Sequence, residues 1–288
     1  MDEKKIQALI TLLDDPNEEV FRAAEQALLS EELEIIPILE SAWESSEDTT
    51  YQQRLVNLIH DLQFKDLKNE LRKWILNSDD LLYGAYLVSR YRYPTLKYEE
   101  INTKVTKIKT DIWLELSDNL TALEKVRIIN HILFNVYGFS GNSGDILSPN
   151  NSFITDVVDT KRGNTITLSI LYSVIAQRLE MPVYGVNLPK SFVLAYMDET
   201  SDLHKTDNGV EGAVLFYITP INKGLILGKK EIEIFIRQQK LDFNVSYFLP
   251  SNNREIIRRL LNNLVVAYET LKDNQRVSEI EELLMMFP

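Results

Sequence analysis

The sequence predicts an α+β fold that is mostly α. Helical hairpins come first, then a core in which one long helix lies on a small antiparallel sheet, then a closing pair of helices. Three observations predict this order. Apolar residues recur at spacings of three and four from Ile6 to about Tyr137, the period of amphipathic helices. Three short runs rich in Val, Tyr, Phe and Leu (VYGVNL, FVLAYM and AVLFYI) follow Pro182 and read as strands. Helical stripes then resume at about Arg254 and continue to Met286. Helices, a strand cluster and more helices together make an α+β core flanked by all-α pieces.

Composition narrows what such a chain can do. Its 288 residues are 44% apolar and 26% charged, an ordinary globular balance. Lys and Arg number 31 against 43 Asp and Glu, a net charge of -12, which repels phosphate backbones and argues against a nucleic-acid partner. The acid is concentrated early. Residues 1–100 carry 21 acidic and 11 basic side chains, a net of -10, whereas 101–288 are nearly neutral. There is no cysteine, so disulfides, thiolate metal sites and a thiol nucleophile are all excluded. The start MDEKKIQALI lacks the pattern of a secretory leader, and no apolar run approaches the ~18 residues of a membrane span. The expectation is a cytoplasmic protein with no membrane partner, no metal and no cofactor.

Taken in order, Ile6, Leu9, Ile10, Leu12 and Leu13 form one helical stripe, which Asp14-Asp15-Pro16-Asn17 stops. A second helix spans about Glu18 to Leu29, with Val20, Ala23, Ala24, Ala27 and Leu28 inside. The hairpin LLDDPNEEVFRAAEQALLS resembles a HEAT repeat, and looser pairs at 33–63 and 65–91 extend it into a short HEAT-like domain. A plain amphipathic hairpin with a proline turn is the rival reading. The pattern breaks at Tyr91-Arg92-Tyr93-Pro94, which sets expected domains of 1–95 for the helical repeats, 96–250 for the core and 251–288 for a helical pair packing on that core. Helices follow at about Tyr98–Leu116 and Thr121–Tyr137, the second opened by Thr121 and Glu124 spaced as a capping box. After a glycine-containing loop, 153–159 and 165–180 read as helices. The insert DETSDLHKTDNGVEG, with its acids Asp198, Glu199, Asp202, Asp207 and Glu211, reads as a solvated loop.

Residues 151–196 resemble the SirB-type branch of the transglutaminase-like superfamily. The resemblance rests on Asn151-Ser152, Lys161-Arg162-Gly163 leading into a long helix, Leu179-x-Met181-Pro182 leaving it, the strand to Asn187 and the strand from Phe192. Flanking elements EKVRIINHILFNVYGFSGN and TPINKG extend it over roughly 96–250. The resemblance implies a papain-like core carrying a Cys-His-Asp triad, its thiol at the N-terminus of the central helix, where the helix dipole favours a thiolate. Those slots fall at Thr165, which stands 17 residues before Pro182, at Ser191 and at Thr219. All three hold neutral hydroxyls. Loss of the cysteine is typical of that branch, whereas its members often keep a His where Ser191 stands.

A threonine hydroxyl is not ionised near neutral pH and needs an adjacent base before it can attack. None is visible in the sequence. His60 and His204 read as incidental, and His131 reads as a core or cap residue rather than a base for Thr165. GLILGKK lacks the spacing of a phosphate loop and reads as a hairpin turn. Arg254, Arg258 and Arg259 line one helix side and are expected to pair with acidic helices, with a basic docking patch as the rival reading. The candidate binding cluster is Arg162, Asn164, Thr165, Thr167, Asn187 and Ser191, around the ancestral cleft. Arg162 beside the free N–H groups of a helix start would favour a carboxylate or a peptide oxygen. In the bland alternative these groups merely satisfy one another. The leading expectation is a catalytically inactive module that binds a protein or peptide, its helical repeats offering an acidic face. Its rivals are a hydrolase or amide-processing enzyme using Thr165 or Ser191, and a purely structural subunit.

Overall fold

The computed structural model describes residues 3–31, 33–198 and 214–288. His204 and the acidic residues 199–211 of the insert therefore lie outside the described residues. The chain forms two compact units, which divide between Lys73 and Trp74.

The first unit is helical. Helix α1 (Glu3–Leu12) and helix α2 (Glu18–Leu29) form a hairpin, and Asn17 caps α2 by accepting from the Glu19 amide at 3.0 Å. Ile6, Ile10, Leu13, Ala24 and Leu28 are buried with Leu39, Leu55, Leu58 and Leu62 from α3 (Ile36–Glu44) and α4 (Thr49–Asn77). Leu12 and Ala23 instead face solvent, because Leu13 and Ala24 occupy the inward positions of those turns. Arg54 on α4 donates to the Leu13 carbonyl at 2.8 Å and stacks 4.2 Å above the Phe21 ring. Helix α4 runs unbroken through residues 63–65, where the two looser repeat pairs were expected to part. No Gly or Pro occurs between Thr49 and Asn77, so nothing in the backbone interrupts it.

The second unit begins earlier than the break at Tyr91–Pro94 suggests. Helix α5 (Leu81–Arg90) is buried along Leu81, Leu82, Gly84, Ala85, Tyr86, Leu87, Val88 and Ser89, and it packs on elements of this unit. Gly84 makes that fit: a Cβ there would stand 2.5 Å from the Trp74 ring and 2.9 Å from Ile257. After α6 (Tyr98–Trp113), helix α7 (Ala122–Asn130) starts at the expected capping box, with the Thr121 amide donating to Glu124 at 2.8 Å. It continues as a π-helical turn over His131–Val136. Strand β1 (Ser140–Gly141) pairs in parallel with β2 (Arg162–Gly163) on either side of α8 (Ile154–Thr160).

Helix α9 (Thr165–Arg178) is the centre of the unit, buried without a break from Ile166 to Ala176. Such an all-round buried helix must be covered on every side. Strands β3 (Val183–Leu188) and β4 (Ser191–Met197) cover one side, continuing through β5 (Val214–Thr219) and β6 (Leu225–Leu227) as an antiparallel sheet in that order. The β3–β4 hairpin closes Leu188 onto Ser191 through Pro189 and Lys190, the latter at φ 60°. After α10 (Lys229–Gln238), helix α11 (Asn253–Thr270) packs on α5, α9 and α12 (Asn274–Leu284). Residues 96–250 and 251–288 thus lie in one compact unit together with α5.

Candidate functional site

A cleft of about 340 Å³ opens at the N-terminus of α9. Ile146, Leu147, Ser148 and Ser152 of the preceding loop line it, with Asn164, Thr165 and Ile166 at the helix start. Lys190, Ser191 and Phe192 come from the β3–β4 hairpin, and Arg259, Asn263, Val266 and Ala267 from α11.

The helix start is wired to the loop before it. Asn164 accepts through Oδ1 from the amides of Ile166 (3.1 Å) and Thr167 (3.0 Å), and its Nδ2 donates to Ser152 Oγ at 2.9 Å. Thr167, fully buried, donates to the Asn151 carbonyl at 2.7 Å and accepts from the Asn164 amide at 3.1 Å. Asn151, also buried, donates through Nδ2 to the Asp145 carbonyl at 2.7 Å and accepts from Asn142 at 2.9 Å. The Asn151-Ser152 pair therefore holds the start of α9 in place. The amides of Ile166 and Thr167, at a helix start expected to be free for an anion, are already capped by Asn164.

Of the six residues expected to cluster, the cleft gathers three: Asn164, Thr165 and Ser191. Thr167 is inward, in the network just described. Arg162 is exposed and turned away, because it lies in β2: its Nη1 donates to the Gly138 carbonyl at 3.0 Å and to Ser140 Oγ, tying the β1 loop down. Asn187 borders a separate hollow of about 460 Å³ with Pro189, Tyr247 and Pro250. Thr219 is buried and donates to the Leu225 carbonyl at 3.1 Å, so its hydroxyl serves the β5–β6 turn and does not line the cleft. His131 is exposed, with its ring 3.3 Å from Asn135 Nδ2, and makes no hydrogen bond to Thr165. The hydroxyls of Thr165 and Ser191 make no hydrogen bond with any described residue.

Arg259 does not pair with an acidic helix as expected, and it lies at the cleft, outside the six residues expected to form it. Its Nη1 donates to Asn187 Oδ1 and to the Leu188 carbonyl, the latter at 2.7 Å, gripping the hairpin that carries Ser191. It borders both hollows, and among the described residues neither it nor Arg254 nor Arg258 makes an ion pair. Arg258 reaches the Pro288 carbonyl at 3.3 Å instead. Burial alone lowers the pKa of the Arg259 guanidinium, the direction expected for a cation without a counterion. The signal available in the sequence was the spacing Arg259-x-x-x-Asn263, which places two polar groups one turn apart beside the apolar stripe of Leu260, Leu261 and Leu264. Among the described residues no three His, Asp or Glu side chains converge as a cation site.

A central buried helix on an antiparallel sheet, with a cleft at the helix start, defines a papain-like α+β core. The family profile of the transglutaminase-like superfamily matches residues 99–262, more than half of the chain, and the chain belongs to that superfamily. A UPF0162 protein of Xylella fastidiosa is 27% identical over 194 residues, covering 65% of this chain and 64% of that protein. A second UPF0162 protein, from Pseudomonas aeruginosa, is 24% identical over 207 residues, 69% of this chain and 72% of its own length. F-box only protein 21 of Mus musculus is 23% identical over 256 residues, which cover 84% of this chain and 36% of that protein. The chain thus spans less than two thirds of the Xylella protein and about a third of the F-box protein. No solved structure matches it. Among the described residues no helix is long and apolar enough to cross a membrane.

Proposed function

We propose that this chain is a non-catalytic member of its superfamily that holds a peptide or an extended protein segment in the cleft at the start of α9. One observation carries the reading. Thr165 and Ser191, which the family resemblance puts in the nucleophile and base slots, both line the cleft, and neither hydroxyl is hydrogen-bonded to a proton acceptor among the described residues. A hydroxyl without a base is a poor nucleophile, and the sequence offers no cysteine to take its place. That weighs against the rival of a Thr- or Ser-dependent amide-processing enzyme. The rim supports binding: Ile146, Leu147 and Val266 border the cleft and are 72%, 50% and 51% exposed, an apolar edge on a polar floor. The acidic N-terminal helices, in the HEAT-like reading, offer a second surface for a protein partner.

Affinity selection from a synthetic library of 12-residue peptides, read by mass spectrometry, tests this. The expected result is a retained subset, lost in Val266→Asp, with every retained peptide recovered at its input mass. An empty selection, or peptides recovered cleaved or cross-linked, would overturn the proposal.

A further inference from the structure

In a protein with a net charge of -12, the cleft at the start of α9 is lined by two cations, Lys190 and Arg259, and by no acidic residue among those described. Arg259 is the unusual member. A guanidinium presents five N–H donors in a planar fork. Both Nη1 hydrogens of Arg259 are spent on Asn187 and the Leu188 carbonyl, which fixes the plane of the group. The Nε–H and the two Nη2 hydrogens have no acceptor among the described residues. Nε–H and one Nη2–H point in parallel, the arrangement that receives both oxygens of a carboxylate. Leaving a half-buried cation without a counterion is costly, whereas ligand-supplied charge recovers that cost on binding. Asn263, one helical turn along, and the hydroxyls of Thr165 and Ser191 add further donors with no partner among the described residues. Beside this polar set stands the exposed apolar edge of Ile146, Leu147 and Val266.

We infer that the cleft receives the C-terminal end of a peptide, with the terminal carboxylate on Arg259 and the last side chain, apolar, against Ile146, Leu147 and Val266. This rests on the peptide-binding reading and goes further by naming the chemistry recognised. The volume, about 340 Å³, is at the lower end of small-ligand pockets (about 300–1,000 Å³) and suits a chain end rather than a long segment. A terminal residue brings carboxylate and apolar side chain together on one Cα. A glutamate would have to supply its apolar neighbour from a different residue.

The test titrates the full chain with three probes, followed by the NMR signals of the Ile166, Ser191 and Asn263 amides and the Arg259 Nε–H. The probes are N-acetyl-Ala-Ala-Leu as the free acid, the same peptide as its amide, and N-acetyl-Ala-Glu-Leu amide. The free acid is expected to give saturable shifts and to bind about tenfold or more tighter than either amide. Arg259→Gln should remove that preference, and Arg259→Lys, which keeps the charge and loses the fork, should restore only part of it. Equal binding of free acid and amide by the unaltered chain would overturn the carboxylate assignment while leaving peptide binding standing. Equal binding of the glutamate peptide would overturn the C-terminal assignment. No saturable shift with any probe overturns this inference, and an empty 12-residue library separately overturns the reading beneath it. Because the acid–amide comparison is made on the unaltered chain, it holds even if Arg259→Gln does not fold.

Discussion

Asn164 closes the start of α9 with its own side chain, accepting from two backbone amides and donating to Ser152. Removing such a cap costs about 0.5–2 kcal/mol, and Asn164→Ala also strands the Ser152 contact, so urea unfolding should show a loss near the upper end. An Asn164→Ala chain as stable as the parent would mean the helix start is held by something else. Titration offers a second check. Burial, then the Asp80 carboxylate that accepts from its hydroxyl, push the Tyr98 phenol up to about 12. Burial and Asp111 push Tyr137 up to about 12 as well. A phenol raised in the folded state contributes stability that is full below the ordinary phenol value of about 10 and is lost as pH rises toward its folded value. Ultraviolet titration should show both tyrosines ionising after the exposed ones, with Tyr98→Phe and Tyr137→Phe each removing one from the late step. Loss from the early step would contradict the assignment. At this scale the lack of a thiol nucleophile was legible, because the sequence has no cysteine at any position. Side-chain direction was not: Arg162 and Asn164 are two apart, and only the β1–β2 pairing turns one toward Gly138 while the other caps the helix.

Elements were most legible where a local signal marks an end. Asn17 and Thr121 start α2 and α7 as their types predict, and the three apolar runs after Pro182 become β3, β4 and β5. Reading repeats across Thr49–Asn77 failed because no breaker residue lies there to support a division. Helix α5 shows the other limit: its sequence is compatible with either neighbour, and the close approach at Gly84 is set by tertiary packing. Glycines give the sharpest test of element junctions. Gly224, at φ 75°, precedes β6 and would place a Cβ 1.9 Å from Asn130 Oδ1. That same oxygen accepts from Tyr172 at 3.0 Å, and Asn130 Nδ2 donates to the Gly224 carbonyl at 2.9 Å. Gly138 has the same φ of 75° but nothing within 4 Å of a Cβ. Gly138→Ala should therefore lose only the left-handed backbone penalty of about 1–2 kcal/mol, and Gly224→Ala clearly more, by thermal denaturation. Equal losses would show that the Asn130 contact is not holding the turn.

For the whole molecule, most of the net negative charge is carried by the first hundred residues, while the cleft of the second unit is cationic and apolar-edged. The α+β class and the superfamily could be read from the order of elements and the 151–196 stretch. The packing of the closing helical pair on the core was expected too, but the grouping of α5 with it could not be read, since burial of a helix on all sides depends on partners far along the chain. In the proposed function the cleft holds its ligand without reacting with it. The most direct check is the intact mass of the chain after incubation with a fluorophosphonate, which traps activated hydroxyl nucleophiles. With no activated hydroxyl in the cleft the mass stays unchanged; an adduct mapped to Thr165 or Ser191, and absent from the matching alanine variant, would overturn the proposed function.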